Sequence, residues 1–363
     1  MKVLHIFNSI MPSGAETMWT AAAPILRKEG IETHVAATLD EIGPYVAEMK
    51  SAGFKVFHFP HCSSKLLDIK YCINLYRHIR NNRYDAVQIH PEAWRLTNAI
   101  ICKLAKTRQI TTTIHNNFAL HGIRFWLRVL RMRLIVRLGV IVVTIGESVF
   151  ENEVLYHYKP YLVHNWINPS KFRRWGNGLE LRKQLGIGEN SKVLAIVGNC
   201  SPIKNHAFIL QVLAKLPEKF MLLHIGQEDA DMCERMLAER FGIIQRVRFL
   251  GRRQDVSRLL EGADIFVMCS LHEGLSIALL EGLMKGLPAI VSDVPGLREM
   301  AYLPLCIKTP LDETAFAEKI VEVAGWSVEE RLQRASETSK RIETDYSMQM
   351  NVGAYIHLWR QKG

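Results

Sequence analysis

Short apolar runs alternate with helix-length amphipathic segments along most of the chain. In the first half, the runs cover residues 2–7, 33–37, 55–59, 86–90, 110–114 and 140–144. Runs of this length, separated by helical patterns, are typical of βαβ units whose parallel strands are buried on both faces. The first half of the chain is therefore predicted to be a doubly wound α/β domain.

A second series of apolar runs follows a polar stretch that has no strand period. The stretch covers residues 168–190, and the later runs lie at 193–197, 221–225, 247–250, 265–269 and 289–291. We predict two Rossmann-like domains with parallel sheets, residues 1–167 and 168–345, with the C-terminal helix 346–363 packing back on the first domain. Ligands of such sheets bind beyond the carboxyl ends of the strands, so a cleft between two facing domains is the expected site.

Length and composition favour a folded cytoplasmic protein. The chain has 363 residues, 48% of them hydrophobic, and no apolar run approaches the ~20 residues of a membrane-spanning helix. The apolar stretch at the N-terminus is too short for a signal peptide. The seven cysteines form no close pairs in sequence, which favours a reducing compartment and predicts neither a zinc motif nor a redox motif.

Positive charge is concentrated in one stretch of the first domain. The net charge is +10, and residues 93–146 contain nine Lys and Arg but no Asp or Glu. Aromatic and aliphatic residues interleave with the arginines over 124–137, a pattern that predicts a helix lying on a surface. The residues expected to contact an anionic membrane surface or the acceptor are Arg124, Trp126, Arg128 and Arg131.

The strongest candidate site in the second domain follows the strand predicted at 265–269. This strand runs into a glycine turn and then a helix, whose unpaired backbone N–H groups favour a phosphate or a sugar hydroxyl. Two carboxylates beside such donors suit a nucleotide sugar. The residues of this segment are Glu273, Gly274, Leu275, Ser276 and Glu281.

Three other predicted strand ends carry candidate residues. Asn199 and Lys204 lie in the turn after the strand at 193–197, where Lys204 is placed to meet a phosphate. Gly14 follows the first strand and would let a ligand approach the backbone closely. His115 follows the strand at 110–114, and His90 has the same geometry after a neighbouring strand.

Several of these segments together resemble the retaining glycosyltransferases of family 4, which have the GT-B fold. In chain order, the matching segments are Ser13-Gly14-Ala15-Glu16, His115-Asn116, Asn165-Trp166-Ile167-Asn168, Gly198 to Asn205, and Glu273-Gly274-Leu275-Ser276 with Glu281. They cover most of both predicted domains.

The resemblance implies a nucleotide-sugar donor bound mainly by the C-terminal domain. It places Glu281 on the ribose hydroxyls, Glu273 on the transferred sugar and Lys204 on the diphosphate. It also implies that Gly14 approaches the phosphates across the cleft and that His115 lies by the hydroxymethyl side of the sugar. The family retains the anomeric configuration by front-face attack, assisted by the leaving phosphate, and uses no metal ion or cofactor; a UDP-sugar is favoured over a GDP-sugar.

The chain departs from the family pattern at three positions. Asn199 stands where the family usually has Arg, so Lys204 or another Arg is expected to carry the charge on the diphosphate. Ser13 replaces a usual Gly and Asn168 replaces a usual Asp. None of these changes removes a proposed catalytic group.

These expectations combine into one leading function with several alternatives. The leading function is transfer of a hexose or N-acetylhexosamine to a lipid-linked saccharide during synthesis of a bacterial capsule, exopolysaccharide or lipopolysaccharide. The enzyme would act peripherally on the inner face of the cell membrane. One alternative keeps the fold with a soluble acceptor or as a sugar-nucleotide epimerase. Another is nucleic-acid binding by the basic face, for which the sequence has no motif, and a nicotinamide dehydrogenase is disfavoured because no Gly-x-Gly-x-x-Gly follows the first strand.

Overall fold

The chain folds into two compact units, which are described separately below. The computed structural model describes residues 1–61, 68–117, 120–172, 176 and 178–361. The first unit comprises Met1–Trp166 together with the segment from Ser347 on, and the second is Ile167–Tyr346. Residues 362 and 363 of the predicted C-terminal helix lie outside the described part.

The first unit contains a fully parallel sheet. Within the described residues its strands are β1 (Lys2–Phe7), β2 (Glu32–Ala37), β3 (Lys55–His58), β4 (Ala86–Ile89), β5 (Gln109–Ile114), β6 (Ile141–Thr144) and β7 (Tyr161–Leu162). Their spatial order is β3-β2-β1-β4-β5-β6-β7. The order reverses direction between β1 and β4, so the carboxyl ends of these two strands mark the topological switch point of this sheet.

Helices connect these strands and cover the sheet. They are α1 (Gly14–Lys28), α2 (Val46–Ser51), α3 (Ile69–Asn82), α4 (Arg95–Leu104), α5 (Gly122–Arg137) and α6 (Glu147–Val154). Helix α3 begins at Asp68, whose carboxylate accepts a hydrogen bond from the backbone N–H of Tyr71 at 3.1 Å and thereby satisfies one unpaired donor of the first turn.

The second unit repeats the doubly wound arrangement. Its strands are β8 (Lys192–Val197), β9 (Phe220–Ile225), β10 (Val247–Phe249), β11 (Ile265–Met268), β12 (Ala289–Ser292) and β13 (Cys306–Thr309), in the parallel order β10-β9-β8-β11-β12-β13. Its helices are α7 (Gly178–Gln184), α8 (His206–Lys215), α9 (Cys233–Arg240), α10 (Val256–Leu259), α11 (Ile277–Met284), α12 (Pro295–Arg298), α13 (Glu313–Ala324) and α14 (Val328–Asp345). The switch point lies between β8 and β11.

The observed strands can be compared with the apolar runs from which strands were predicted. Eleven strands lie within one or two residues of their predicted positions, whereas β7 and β13 were missed. Strand β7 has only two residues, and β13 includes the exposed Lys308 at the edge of its sheet. An edge strand needs no continuous apolar run, so the pattern carries little signal for either one.

A last helix, α15 (Met348–Arg360), belongs to the first unit and packs on its sheet. Tyr355 and Trp359 are both buried. The Trp359 indole donates to the Gln88 side-chain oxygen at 3.3 Å and to the Thr111 hydroxyl at 3.2 Å. The Tyr355 hydroxyl is 3.1 Å from that of Thr113. Strands β4 and β5 thus hold the helix by both apolar contact and hydrogen bonds.

Trp359→Ala is expected to lower the free energy of unfolding of the first unit by about 3–5 kcal/mol, since it leaves a large cavity beside unpaired polar groups. Trp126→Ala is the matched control. That tryptophan is 62% exposed, and its loss is expected to change stability by less than about 0.5 kcal/mol. Calorimetry, with hydrogen exchange to assign the transition, measures both; equal effects would contradict the packing described for α15.

Candidate active site

Two strand ends of the second unit that carry predicted site residues lie side by side at its switch point. Strands β8 and β11 pair in parallel, so the turns that follow them leave the sheet at the same edge. Lys204, from the turn after β8, forms an ion pair with Glu273, from the turn after β11. Glu273 is 8% exposed and also accepts a hydrogen bond from the Ser270 hydroxyl at 2.9 Å. The fold therefore brings together two of the three predicted catalytic residues.

Backbone contacts hold these two turns against each other. The Leu271 N–H donates to the Ile203 carbonyl at 2.8 Å, and the Ser292 hydroxyl donates to the Ser270 carbonyl at 2.6 Å. Gly296, in α12, lies so close to the turn after β11 that a Cβ at this position would be 2.3 Å from the carbonyl oxygen of Glu273. Only glycine permits this approach, so the position of Glu273 depends on backbone packing.

Helix α11 starts where the sequence predicts. Ser276 is its N-cap, with the side chain accepting from the Leu279 N–H at 3.4 Å, and Gly274 and Leu275 lie in the buried turn before it. Glu281 is half-buried, one turn into the helix. The capped start thus leaves Glu273 in the turn and Glu281 in the helix, which is the arrangement expected from the sequence.

Asn199 has a structural contact that the sequence did not indicate. Its side-chain oxygen accepts a hydrogen bond from the Gln227 N–H at 3.0 Å. Arg252, from the turn after β10, donates to the side-chain oxygen of the same Gln227. Gln227 therefore contacts both Asn199 and the exposed side chain of Arg252, although these two residues are 53 positions apart in the chain. No local motif marks Arg252; only the strand order β10-β9-β8 brings it here.

In the first unit, Gly14 begins α1 and is exposed beyond the carboxyl end of β1. Two residues on, Glu16 is buried and accepts a hydrogen bond from the Ser13 hydroxyl. Burial raises the pKa of Glu16 to about 7, while the hydrogen bond from Ser13 opposes the rise. This carboxyl therefore keeps its proton to a higher pH than an exposed glutamate does.

His115 is the end of a row of three histidines that crosses the switch point of the first sheet. Ring nitrogens of His115 and His90 are 3.3 Å apart, and those of His90 and His5 are also 3.3 Å apart. Burial, with a smaller contribution from the nearby Arg95, lowers the pKa of His115 to about 4. The pKa of His5 falls to about 3, again because of burial. Burial also holds the pKa of His90 well below its usual value, so all three rings are neutral at pH 7. Gly14 and His115 lie at strand ends separated by β4.

Arg128 does not lie on the surface predicted for it. Its guanidinium is buried and pairs with Glu92 at 2.8 Å and Glu153 at 2.6 Å. Arg131 is half-exposed and contacts the same Glu92 at 3.4 Å. The two glutamates flank the acid-free stretch on either side, so counting charges within the stretch alone missed them. Burying an unpaired guanidinium would be costly, which explains why this position is paired.

The exposed face of α5 is instead mainly apolar. Arg124 and Trp126 are exposed as expected, and Arg133 and Arg137 are exposed near Trp126 around the helix. The apolar members of this face are Ile123, Trp126, Leu127, Leu130 and Leu134, each more than 40% exposed. Exposed apolar side chains that share a helix face with arginines are typical of a surface that meets a membrane or a partner.

Two family models match the chain in succession. The first, described as Glycosyltransferase Family 4, matches residues 12–179, and the second, described as Glycosyl transferases group 1, matches residues 179–341. The chain is a family 4 glycosyltransferase. Its two parallel sheets are those of the GT-B fold, which confirms the expected fold class, and the predicted enzyme class, a hexosyltransferase, is confirmed with it.

Relatives and a solved structure agree with this assignment. The EpsF glycosyltransferase of Bacillus subtilis (strain 168) is 27% identical over 99% of this chain and 96% of its own length. An Escherichia coli UDP-Gal:alpha-D-GlcNAc-diphosphoundecaprenol alpha-1,3-galactosyltransferase is 24% identical over 82% of this chain and 80% of its own. The structure of Anabaena HepE with UDP-glucose superimposes with a TM-score of 0.82 at 18% identity, covering 98% of this chain and 99% of that one.

One structural observation concerns the length and hydrophobicity of the helices. Among the described residues, the glycosyltransferase has no helix that is both long enough and apolar enough to cross a membrane.

The Glu16 contribution to the stability of the first unit is expected to fall as pH rises from about 4.5 to about 7, because the folded state binds the Glu16 proton more tightly than the unfolded chain does. The buried histidines, whose pKa values are lowered, contribute in the opposite direction. Glu16→Gln is expected to remove roughly 3 kcal/mol of the Glu16 dependence. Denaturant unfolding across this pH range measures it, with the exposed Glu151→Gln as control. An unchanged pH dependence in Glu16→Gln would show that Glu16 titrates normally.

Proposed function

We propose that this glycosyltransferase retains anomeric configuration and transfers a hexose or N-acetylhexosamine from a nucleotide sugar, with a UDP-sugar favoured, to a lipid-linked saccharide. The product would enter a bacterial surface polysaccharide. The observation that carries the proposal is the Lys204–Glu273 ion pair at the paired ends of β8 and β11 in a family 4 chain.

The second unit is proposed to bind the donor. Glu281 accepts hydrogen bonds from the ribose hydroxyls, and the N–H groups of Gly274, Leu275 and Ser276 at the start of α11 hold a phosphate. Lys204 neutralises the diphosphate. Asn199 supplies no charge there, and we propose that Arg252 replaces the arginine usual in the family, because both contact Gln227.

In the proposed reaction, the bond between the anomeric carbon and the leaving phosphate oxygen breaks while the acceptor hydroxyl oxygen bonds to the same face of that carbon. The acceptor proton passes to the leaving phosphate. Lys204 stabilises the negative charge that develops on this phosphate, in the manner of a preorganised electrostatic contact. Glu273 accepts hydrogen bonds from hydroxyls of the transferred sugar and orients the ring.

The first unit is proposed to contribute Gly14 and His115. The exposed N-terminus of α1 at Gly14 supplies backbone N–H donors for phosphate. His115 is neutral at physiological pH because burial lowers its pKa to about 4. It would therefore donate or accept a hydrogen bond at the hydroxymethyl side of the sugar without adding charge there.

The exposed face of α5 is proposed to contact an anionic membrane that carries the lipid-linked acceptor. Its apolar side chains would enter the boundary between headgroups and acyl chains, while Arg124, Arg133 and Arg137 meet lipid phosphates. The Escherichia coli relative, which is named for an alpha-D-GlcNAc-diphosphoundecaprenol acceptor, supports this choice of acceptor. A soluble acceptor is the alternative, and the vesicle experiment below separates the two.

Lys204→Ala and Glu273→Gln are each expected to lower the rate of sugar transfer by about 10²–10³, because each removes a contact that strengthens as the donor bond breaks. Glu273→Gln should still bind the nucleotide, whereas Lys204→Ala should bind it more weakly because Lys204 neutralises the diphosphate. Glu281→Ala should weaken nucleotide binding itself, since it removes a charge-assisted hydrogen bond worth about 1.5–3 kcal/mol.

A panel of UDP, GDP, ADP and dTDP sugars measures transfer, and thermal unfolding with each nucleotide measures binding. Ligand at about a hundred times its Kd adds roughly 2.7 kcal/mol to stability. Lys215→Ala is the control, because its 2.9 Å ion pair with Glu313 joins two helices away from the turns. Normal turnover in both Lys204→Ala and Glu273→Gln would overturn the site assignment.

Replacing Trp126, Leu127 and Leu130 together by Ser is expected to lower affinity for phosphatidylglycerol-containing vesicles at least about tenfold, since each apolar side chain that enters lipid contributes about 1.5–3 kcal/mol. Co-sedimentation with vesicles measures this. Val328→Ser with Leu332→Ser is the matched control, because these side chains of α14 are 68% and 62% exposed. Equal binding by both variants would exclude α5 as the membrane contact and favour a soluble acceptor.

A further inference from the structure

A cysteine and two histidines meet behind the turn that carries Lys204. Cys200 lies in this turn, His206 is the first residue of α8, and His224 lies within β9 opposite Ile196 of β8. The two histidines are buried and the cysteine is half-buried. Cysteine spacing alone predicts no metal site here, because the strand pairing of β8 with β9 is what brings His224 to the other two.

The three ligand-type atoms point at one another. The Cys200 Sγ is 3.6 Å from Nδ1 of His206 and 3.4 Å from Nε2 of His224. Those two nitrogens are 2.8 Å apart. All three atoms lie within 4.8 Å of one another, so a single ion could contact all of them.

These distances can be compared with a tetrahedral zinc site. Zn–S bonds of about 2.3 Å and Zn–N bonds of about 2.05 Å give S···N edges near 3.5 Å and an N···N edge near 3.3 Å. Both S···N distances therefore already match. The N···N distance is shorter because the rings share a hydrogen bond, and it would need to open by about 0.5 Å.

Glu234 offers a further oxygen atom beside this cluster. Glu234, in α9, is close enough to act electrostatically on both Cys200 and His224. One of its carboxylate oxygens is buried without a hydrogen-bond partner among the described residues, and so is Nδ1 of His224. The other ring nitrogen of His224, Nε2, is the one that faces Cys200 and His206.

We propose that Cys200, His206 and His224 bind one Zn²⁺ ion, with Glu234 or a water molecule as the fourth ligand. On binding, the Cys200 thiol releases its proton to solvent. The ring that donates the hydrogen bond between the two histidines moves its proton to its other nitrogen, so the net release is one proton. A ligand set of one sulfur and two imidazole nitrogens in a tetrahedral arrangement is one that Zn²⁺ accepts.

The ion would act on structure rather than on the reacting sugar. It would tie the turn after β8 to β9 and so limit the positions available to Asn199 and Lys204. If the second unit binds the donor as proposed above, the order of this part of the site would then depend on zinc. The metal site itself does not rest on that function, because its ligands are separate from the donor contacts.

Protein stripped of metal with a chelator and then titrated with Zn²⁺ is expected to bind one equivalent tightly against a competing chromophoric chelator. Cys200→Ser should weaken this binding at least about 100-fold, since loss of a direct ligand costs no less than loss of its supporting partners. With Co²⁺ in place of Zn²⁺, the wild-type chain should show a sulfur-to-metal charge-transfer band that Cys200→Ser lacks.

Cys233→Ser is the matched control, because this exposed cysteine lies beside Glu234 in α9 but outside the cluster. It should bind Zn²⁺ and Co²⁺ as the wild type does. His224→Gln provides a second test, with circular dichroism to verify folding. Binding of less than one equivalent by the wild type, or equal affinity in Cys200→Ser, would overturn the zinc proposal and leave the donor-site proposal untouched.

Discussion

The parallel pairing of β11 with β8 is the constraint on which the candidate site depends. The two strands are neighbours in the sheet although Lys204 and Glu273, which follow them, are 69 residues apart in the chain. Parallel strands end at the same edge, so their pairing delivers a cation and a carboxylate to one place. The buried Glu273 carboxylate then has Lys204 and Ser270 as partners, as a charge removed from water requires.

Backbone contacts make this arrangement specific. Gly296 lets α12 reach the peptide of Glu273, and Gly282 lets α11 approach β11, since a Cβ there would be 2.7 Å from the Phe266 ring. The packing of α12 against the Glu273 turn and of α11 against β11 thus positions the side chains of the site. The same sheet order also brings Arg252 to Gln227, which contacts Asn199. The turn after β8 has Asn199 where the family usually has Arg, and the turn after β10, two strands away, carries the guanidinium of Arg252.

Electrostatics organises the first unit differently. Arg95 and Arg128 are buried and pair with Glu92 and Glu153. Arg95 of this network, together with burial, depresses the pKa of His115. Of the arginines of α5, Arg128 is drawn inside the unit by this pairing, whereas Arg124, Arg133 and Arg137 remain exposed with the apolar side chains. Counting charges in the sequence did not distinguish an arginine that is paired inside the unit from arginines that are exposed on its surface.

The sequence by itself indicated eleven of the described strands, the doubly wound α/β class of both units, the family and the start of α11, because buried strands, glycine turns and a Ser276 cap are local patterns. It also indicated Glu273, Lys204 and His115 as strand-end residues. Only the tertiary structure decided that Arg128 is buried, that Arg252 lies near Asn199 and that Cys200 meets His206 and His224. These contacts join distant segments through strand order and burial, and no local pattern of residues records which strands become neighbours.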